Sequence, residues 1–258
     1  MSERRELKTR ANVASILPVA SLFSRYKPEK EQLVRKPMVV VDEVLTQLLE
    51  AWANFNPPFI SDPNDFCMYY DVACKLLKGI NYSARDIEKF SIALTQRNRF
   101  YEGMLTGVFL SALVNEGEGM EYRIYTENLE KSPWYMGLMN KKKITIFGSV
   151  GGECGNSMYG GEIEITGSAH YSIAHTTFGG KITVHGEFTG EVGINASHAT
   201  LVLNGDPARI WCYHYSGEVY VNGVLIPVRS IPVPTHARKG MYSKKDQSFM
   251  KEDRLIYY

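Results

Sequence analysis

The chain has few cysteines, and none is arranged for chemistry: Cys67, Cys74, Cys154 and Cys212 form no CxxC pair. Such spacing argues against a zinc knuckle or a disulfide framework and fits reduced thiols in a cytoplasmic setting. Long apolar runs are missing too. No stretch reaches the ~18 residues of a spanning helix, so no membrane partner is expected. Charge of one sign is not in excess, with 29 basic against 28 acidic residues, which removes long-range attraction to nucleic acid and leaves only local contacts. A targeting segment is not expected either. Ala11 to Phe23 follows Arg4, Arg5, Lys8 and Arg10, but Pro18 interrupts it and Glu3 and Glu6 dilute the charge.

What is present is a repeat. Ile144-Thr-Ile-Phe-Gly148, Ile163-Glu-Ile-Thr-Gly167, Ile182-Thr-Val-His-Gly186 and Leu201-Val-Leu-Asn-Gly205 recur at a constant interval, and Val219-Tyr-Val-Asn-Gly223 follows one place early. A fixed period of about 19 residues marks a solenoid, whose units bury their apolar faces only by stacking. Ile144, Ile163, Ile182, Leu201 and Val219 form one expected inward ladder. Ile146, Ile165, Val184, Leu203 and Val221 form the second, alternating with outward Thr145, Glu164, Thr183 and Tyr220.

Each coil ends in a corner glycine, Gly148, Gly167, Gly186, Gly205 or Gly223, as a sharp turn requires where φ is positive or a Cβ has no room. Gly155, Ala174, Gly193 and Cys212 keep a small residue further round the coil. One full period before Met158 stands Met139, which aligns Leu138-Met139-Asn140 with Ser157-Met158-Tyr159 and makes the opening coil a degenerate repeat.

Ahead of the repeat the period becomes helical. Val44, Leu45, Leu48, Leu49 and Trp52 precede a stop at Asn56-Pro57-Pro58, and a second series from Phe66 to Leu77 ends at Gly79. Ser83 and Asp86 have the spacing of a capping box before Ile87, Phe90 and Leu94. Gly103, Gly107 and Ser111 line one side of a fourth segment, as in a buried helix with close backbone contact. The expected organisation is α+β: a basic arm over 1–37, a helical domain over 38–117, a parallel β-helix of about five coils over 120–228, and a Pro-containing basic tail over 229–258. The arm carries nine basic residues against four acidic ones, which suits a solvated tail or a local contact to RNA or an acidic partner.

The segments Tyr159-Gly-Gly-Glu-Ile-Glu-Ile-Thr-Gly167 and Phe178-Gly-Gly-Lys-Ile-Thr-Val-His-Gly186 resemble the GXGXG domain. That domain is a right-handed parallel β-helix found at the C-terminus of the glutamate synthase large subunit and in one component of formylmethanofuran dehydrogenase. The resemblance covers about residues 140–225. It implies a right-handed coil that serves as spacer and docking surface, with catalysis residing in other domains or subunits.

Candidate sites are sparse. His170 and His175 are the best-placed histidines for a metal, because imidazole is a common transition-metal ligand, yet no His-x-His or His-x-x-x-His spacing occurs. Cys154 and Cys212 suit buried small residues better than nucleophiles. Glu164 and Glu187 fall at different strand positions, unlike the paired carboxylates of a glycosidase. Trp211, Tyr213, Tyr215 and Tyr220 gather stiff aromatic area of the kind that anchors protein contacts. The expected function is therefore a non-catalytic scaffold acting through a protein partner or self-association, with no cofactor. The alternatives are an accessory subunit of a redox or amide-transfer complex and, behind it, nucleic-acid association through the basic tails.

Overall fold

The computed structural model describes residues 40–58, 66–97, 99, 101–193, 196–212 and 216–226, with Trp211 and Cys212 described by their backbone alone. The expected basic arm, the whole of the expected tail including His236, and Tyr213, His214 and Tyr215 lie outside the described residues. Four helices come first: α1 (Glu43–Asn54), α2 (Phe66–Leu77), α3 (Ala84–Ala93) and α4 (Glu102–Glu116). Local chemistry sets their ends. The Asp42 carboxylate accepts from the Leu45 amide at 2.9 Å to open α1. Ser83 and Asp86 form the reciprocal box that opens α3. Gly79 turns the chain after α2 at φ 88°, a conformation that residues with a Cβ resist.

α4 is the central helix, with twelve of its fifteen residues buried. Its small side faces the opening coil. A Cβ on Gly107 would overlap the Trp134 carbonyl, so backbone meets backbone there. One turn further on, the buried Ser111 hydroxyl donates to the Tyr135 carbonyl at 2.8 Å and accepts from the Gly137 amide at 2.9 Å. Lys142 closes the far end: its ammonium donates to the carbonyls of Val114, Asn115 and Gly117, at the last turn of α4. A cation at a helix C-terminus satisfies orphan carbonyls and opposes the macrodipole.

The rest is a parallel β-solenoid of about five turns over residues 121–221. Strands β1 (Glu121–Tyr125), β2 (Lys143–Phe147), β3 (Glu162–Ile165), β5 (Gly180–Val192), β6 (Ser197–Asn204) and β8 (Ser216–Val221) stack in that order. Ile144, Ile163, Ile182, Leu201 and Val219 pair one above the next. Both apolar ladders are buried, each member exposed by 3% or less, and each contributes about 1.5–3 kcal/mol. A second sheet holds β4 (Ala169–Ile173), the later half of β5, and β7 (Ile210–Cys212). β9 (Val224–Ile226) turns back antiparallel on β8.

The corner glycines divide by cause. Gly148, Gly205 and Gly223 hold φ of 121°, 153° and 79°. Gly167 and Gly186 are instead closed by approach: a Cβ on either would fall 2.5 Å from the backbone of the glycine one coil earlier. The Gly167 amide donates to the Gly148 carbonyl, and the Gly186 amide to that of Gly167, at 2.9 Å each.

The register expected for the opening coil needs correction. Left-handed residues Met139, Ser157 and Thr176 mark one row, and the Met139 amide donates to the Asn156 carbonyl. Leu138-Met139-Asn140 therefore stands against Asn156-Ser157-Met158, one place earlier than a uniform period gives. The coil is also longer on its other side, because the step from Tyr122 to its partner Ile144 exceeds the step from Ile144 to its partner Ile163. Its surplus reaches the helices. Asn128 donates to the carbonyls of Ser91 and Ile92, and Gln96 bonds Lys131 through both amide atoms. One buried apolar cluster consequently runs from Leu45 in α1 to Val221 in β8.

Candidate functional site

The second sheet carries the most distinctive surface. On β4 the burial pattern breaks: His170 and Tyr171 are both exposed, and Ser172 and Ile173 are both buried. The cause is Tyr171, whose φ of 74° lies in the left-handed region, an arrangement that costs about 1–3 kcal/mol for a residue with a side chain. It sends the ring outward, where the residue is 64% exposed. On the next coil Gly190 accommodates the bulge at φ 141°, because a Cβ there would overlap the Tyr171 carbonyl.

Trp134 of the opening coil lies over Gly151 and Gly152. A Cβ on Gly152 would sit 2.9 Å from the indole and 3.2 Å from the Tyr171 Cβ. This glycine floor lets two aromatic rings meet at 5.0 Å between centroids, tilted by 33°. Beside them runs a groove of about 600 Å³ lined by His170, Tyr171, Ser172, Thr189, Gly190, Glu191 and Arg209. Arg209 is also paired with Glu187 at 3.2 Å. Trp211 follows on β7, its backbone in register with Glu191.

Beneath this face lies a polar knot. Glu153, itself left-handed at φ 60°, accepts from the Ser172 hydroxyl at 2.7 Å and from the Asn156 side-chain amide at 2.9 Å, and pairs with His175 Nδ1 at 2.9 Å. Burial by itself would raise the pKa of this carboxyl, but the bonds from His175, Ser172 and Asn156 hold it below the usual range. An ionised carboxylate only accepts, so Nδ1 carries the proton. The nearby Tyr135 phenol is pushed up by burial first and by the Glu153 charge second.

A carboxylate–imidazole pair is the orienting half of a general base. Here the hydroxyls beside it already donate, Ser172 to the Glu153 carboxylate of the pair and Ser157 to Asn156. The knot ties the turn at 153–157 to the turn at 172–176.

The structure separates the histidines singled out in the sequence. His170 sits exposed in the groove and His175 faces Glu153. Among the described residues no three His, Cys, Asp or Glu side chains converge as metal ligands would. Cys154 is fully buried, and burial pushes its thiol up to about 12. Glu164 pairs with His185 at 2.8 Å and Glu187 with Arg209. Of the aromatic group, Tyr220 lies half-buried on β8 of the first sheet, its hydroxyl donating to Glu218 at 3.2 Å, whereas Trp211 belongs to the second sheet.

Sequence reasoning missed Trp134, Tyr171 and the Glu153 knot. The available signal was Gly151-Gly152 preceding Glu153 at a place where the next coil has His170-Tyr171-Ser172. No family model, curated protein or solved structure matches the chain. Among the described residues no helix is long and apolar enough to cross a membrane.

Proposed function

We propose that the chain is a non-catalytic interaction scaffold whose second sheet, with Tyr171 on it and Trp134 of the opening coil beside it, docks a protein partner. The observation that carries this reading is Tyr171, held 64% exposed on strained backbone over a neighbouring indole. Strain of that kind persists only where the surroundings enforce it, and a tyrosine and a tryptophan beside the groove that Arg209 lines are the residue types that dominate contact hot spots.

The second reading, an accessory subunit in a larger enzyme complex, rests on the resemblance of residues 159–167 and 178–186 to the GXGXG domain, whose coil serves as a docking surface. Either way the contact surface is the same. Chemical cross-linking in native extract, mapped by mass spectrometry, tests it: cross-links should concentrate at the second sheet and fall by about tenfold in Tyr171→Ser, a loss of ~1.4 kcal/mol. Cross-links that persist at wild-type yield in a folded Tyr171→Ser, Arg209→Glu double variant would remove the assignment.

A further inference from the structure

The imidazole of the polar knot has chemistry that a docking surface does not use. His175 stands between two left-handed residues, Ala174 at φ 56° and Thr176 at φ 52°, a backbone that persists only where its surroundings over-determine it. They do so on both sides. The Ser157 amide donates to the His175 carbonyl at 2.9 Å, and the buried Thr177 hydroxyl donates to the Gly155 carbonyl at 2.7 Å. The ring itself is held through Nδ1, which donates to Glu153 Oε2 at 2.9 Å.

With the proton on Nδ1, the free lone pair of the ring lies on Nε2. That nitrogen sits across the ring from the carboxylate, with no hydrogen-bond partner and within reach of solvent, on a side chain that is 33% exposed. Glu153 behind it is only 18% exposed and accepts from Ser172 and Asn156 as well. A carboxylate so placed fixes the tautomer of an imidazole and raises the basicity of its far nitrogen. The other described histidines lack this arrangement. His170 and His198 are exposed and bond no carboxylate among the described residues. His185 uses Nε2 itself to meet Glu164, which is 39% exposed.

We propose that His175 Nε2 is a nucleophilic site that accepts an acyl group from an activated ester or anhydride. Nε2 attacks the carbonyl carbon, a C–N bond forms as the C–O bond to the leaving group breaks, and the leaving oxygen departs with the electron pair. Glu153 faces the positive charge that the ring then carries, and the Nδ1 proton passes through it to the leaving group. Glu153 is thus a positioning residue. A neutral acyl carbonyl suits the site better than a phosphoryl group, whose negative charge Glu153 would repel.

The test treats the full chain with diethyl pyrocarbonate at about pH 8, where imidazoles are largely neutral. The displaced ethyl carbonate takes up the proton and breaks down to carbon dioxide and ethanol. Peptide mapping by mass spectrometry gives a separate rate for each of the six histidines. His175 should react about tenfold faster than His170, His185 or His198, a ranking read in the wild type without any variant. Glu153→Gln should bring the His175 rate down to theirs and leave theirs unchanged, which separates loss of the partner from loss of the fold. With p-nitrophenyl acetate, His175→Asn should lose most of the nitrophenolate release. The proposal is overturned if His175 reacts no faster than His170 and His185, if a folded Glu153→Gln is acylated at His175 at the wild-type rate, or if His175→Asn releases nitrophenolate as fast as the wild type.

Discussion

At the scale of single residues, the repeat places side chains in conformations that most positions avoid, and the costs are local enough to measure. Gly190 is the sharpest case, since its φ of 141° and the adjacent Tyr171 carbonyl leave no place for a methyl group. Gly190→Ala should destabilise by about 2–4 kcal/mol in urea unfolding. Gly160→Ala, where nothing stands within 4 Å of the added carbon, should change stability by less than about 0.5 kcal/mol. Glu153 gives a pH signature. Its folded pKa lies below the unfolded value of ~4.3, so its bonds contribute stability above that pH and lose it as pH falls through the folded value. Glu153→Gln should flatten the acid limb of a stability–pH curve, and a limb as steep as wild type would show that other carboxylates cause it.

At the scale of elements, helix and coil are joined by polar contacts at several places, and those of Ser111 are fully buried. Ser111 is the clearest, because its hydroxyl serves the Gly137 and Leu138 amides and the Tyr135 carbonyl at once. Ser111→Ala leaves buried groups without partners and should cost about 2–3 kcal/mol, read from the shift in urea midpoint at constant slope. The sequence exposed this contact in part. The spacing of Gly103, Gly107 and Ser111 showed that something approaches α4 closely, but not that the neighbour is the 132–138 loop of the opening coil. That loop carries no apolar period, and the coil around it departs from the regular spacing on both sides. The same irregularity concealed Trp134, whose ring lies over glycines belonging to the next coil.

At the scale of the whole molecule, the helices and the solenoid share one buried cluster, although composition and period divide them into two. α3 meets β1 through the Ser91 hydroxyl, which accepts from the Tyr125 amide at 3.0 Å, and α4 underlies the opening coil. Thermal unfolding should therefore be a single event, with near-ultraviolet circular dichroism and the far-ultraviolet strand signal losing amplitude at the same temperature. Residues 119–226 expressed without the helices should not show that transition, because Tyr122, Ile124 and Met136 would lose part of their cover. Two separated transitions in the full chain would mean that the two parts hold themselves up independently.

The sequence by itself determined the coil period, the two apolar ladders, the corner positions and most helix ends, because each depends on neighbours at a fixed separation along the chain. Only the tertiary structure decided the contact between α4 and the opening coil, the pairing of Trp134 with Tyr171, and the separation of Trp211 and Tyr220 onto different sheets. Those features join residues at irregular separations, where the governing quantities are the room left by a missing Cβ and the acceptors left near a buried donor. A one-dimensional pattern carries neither.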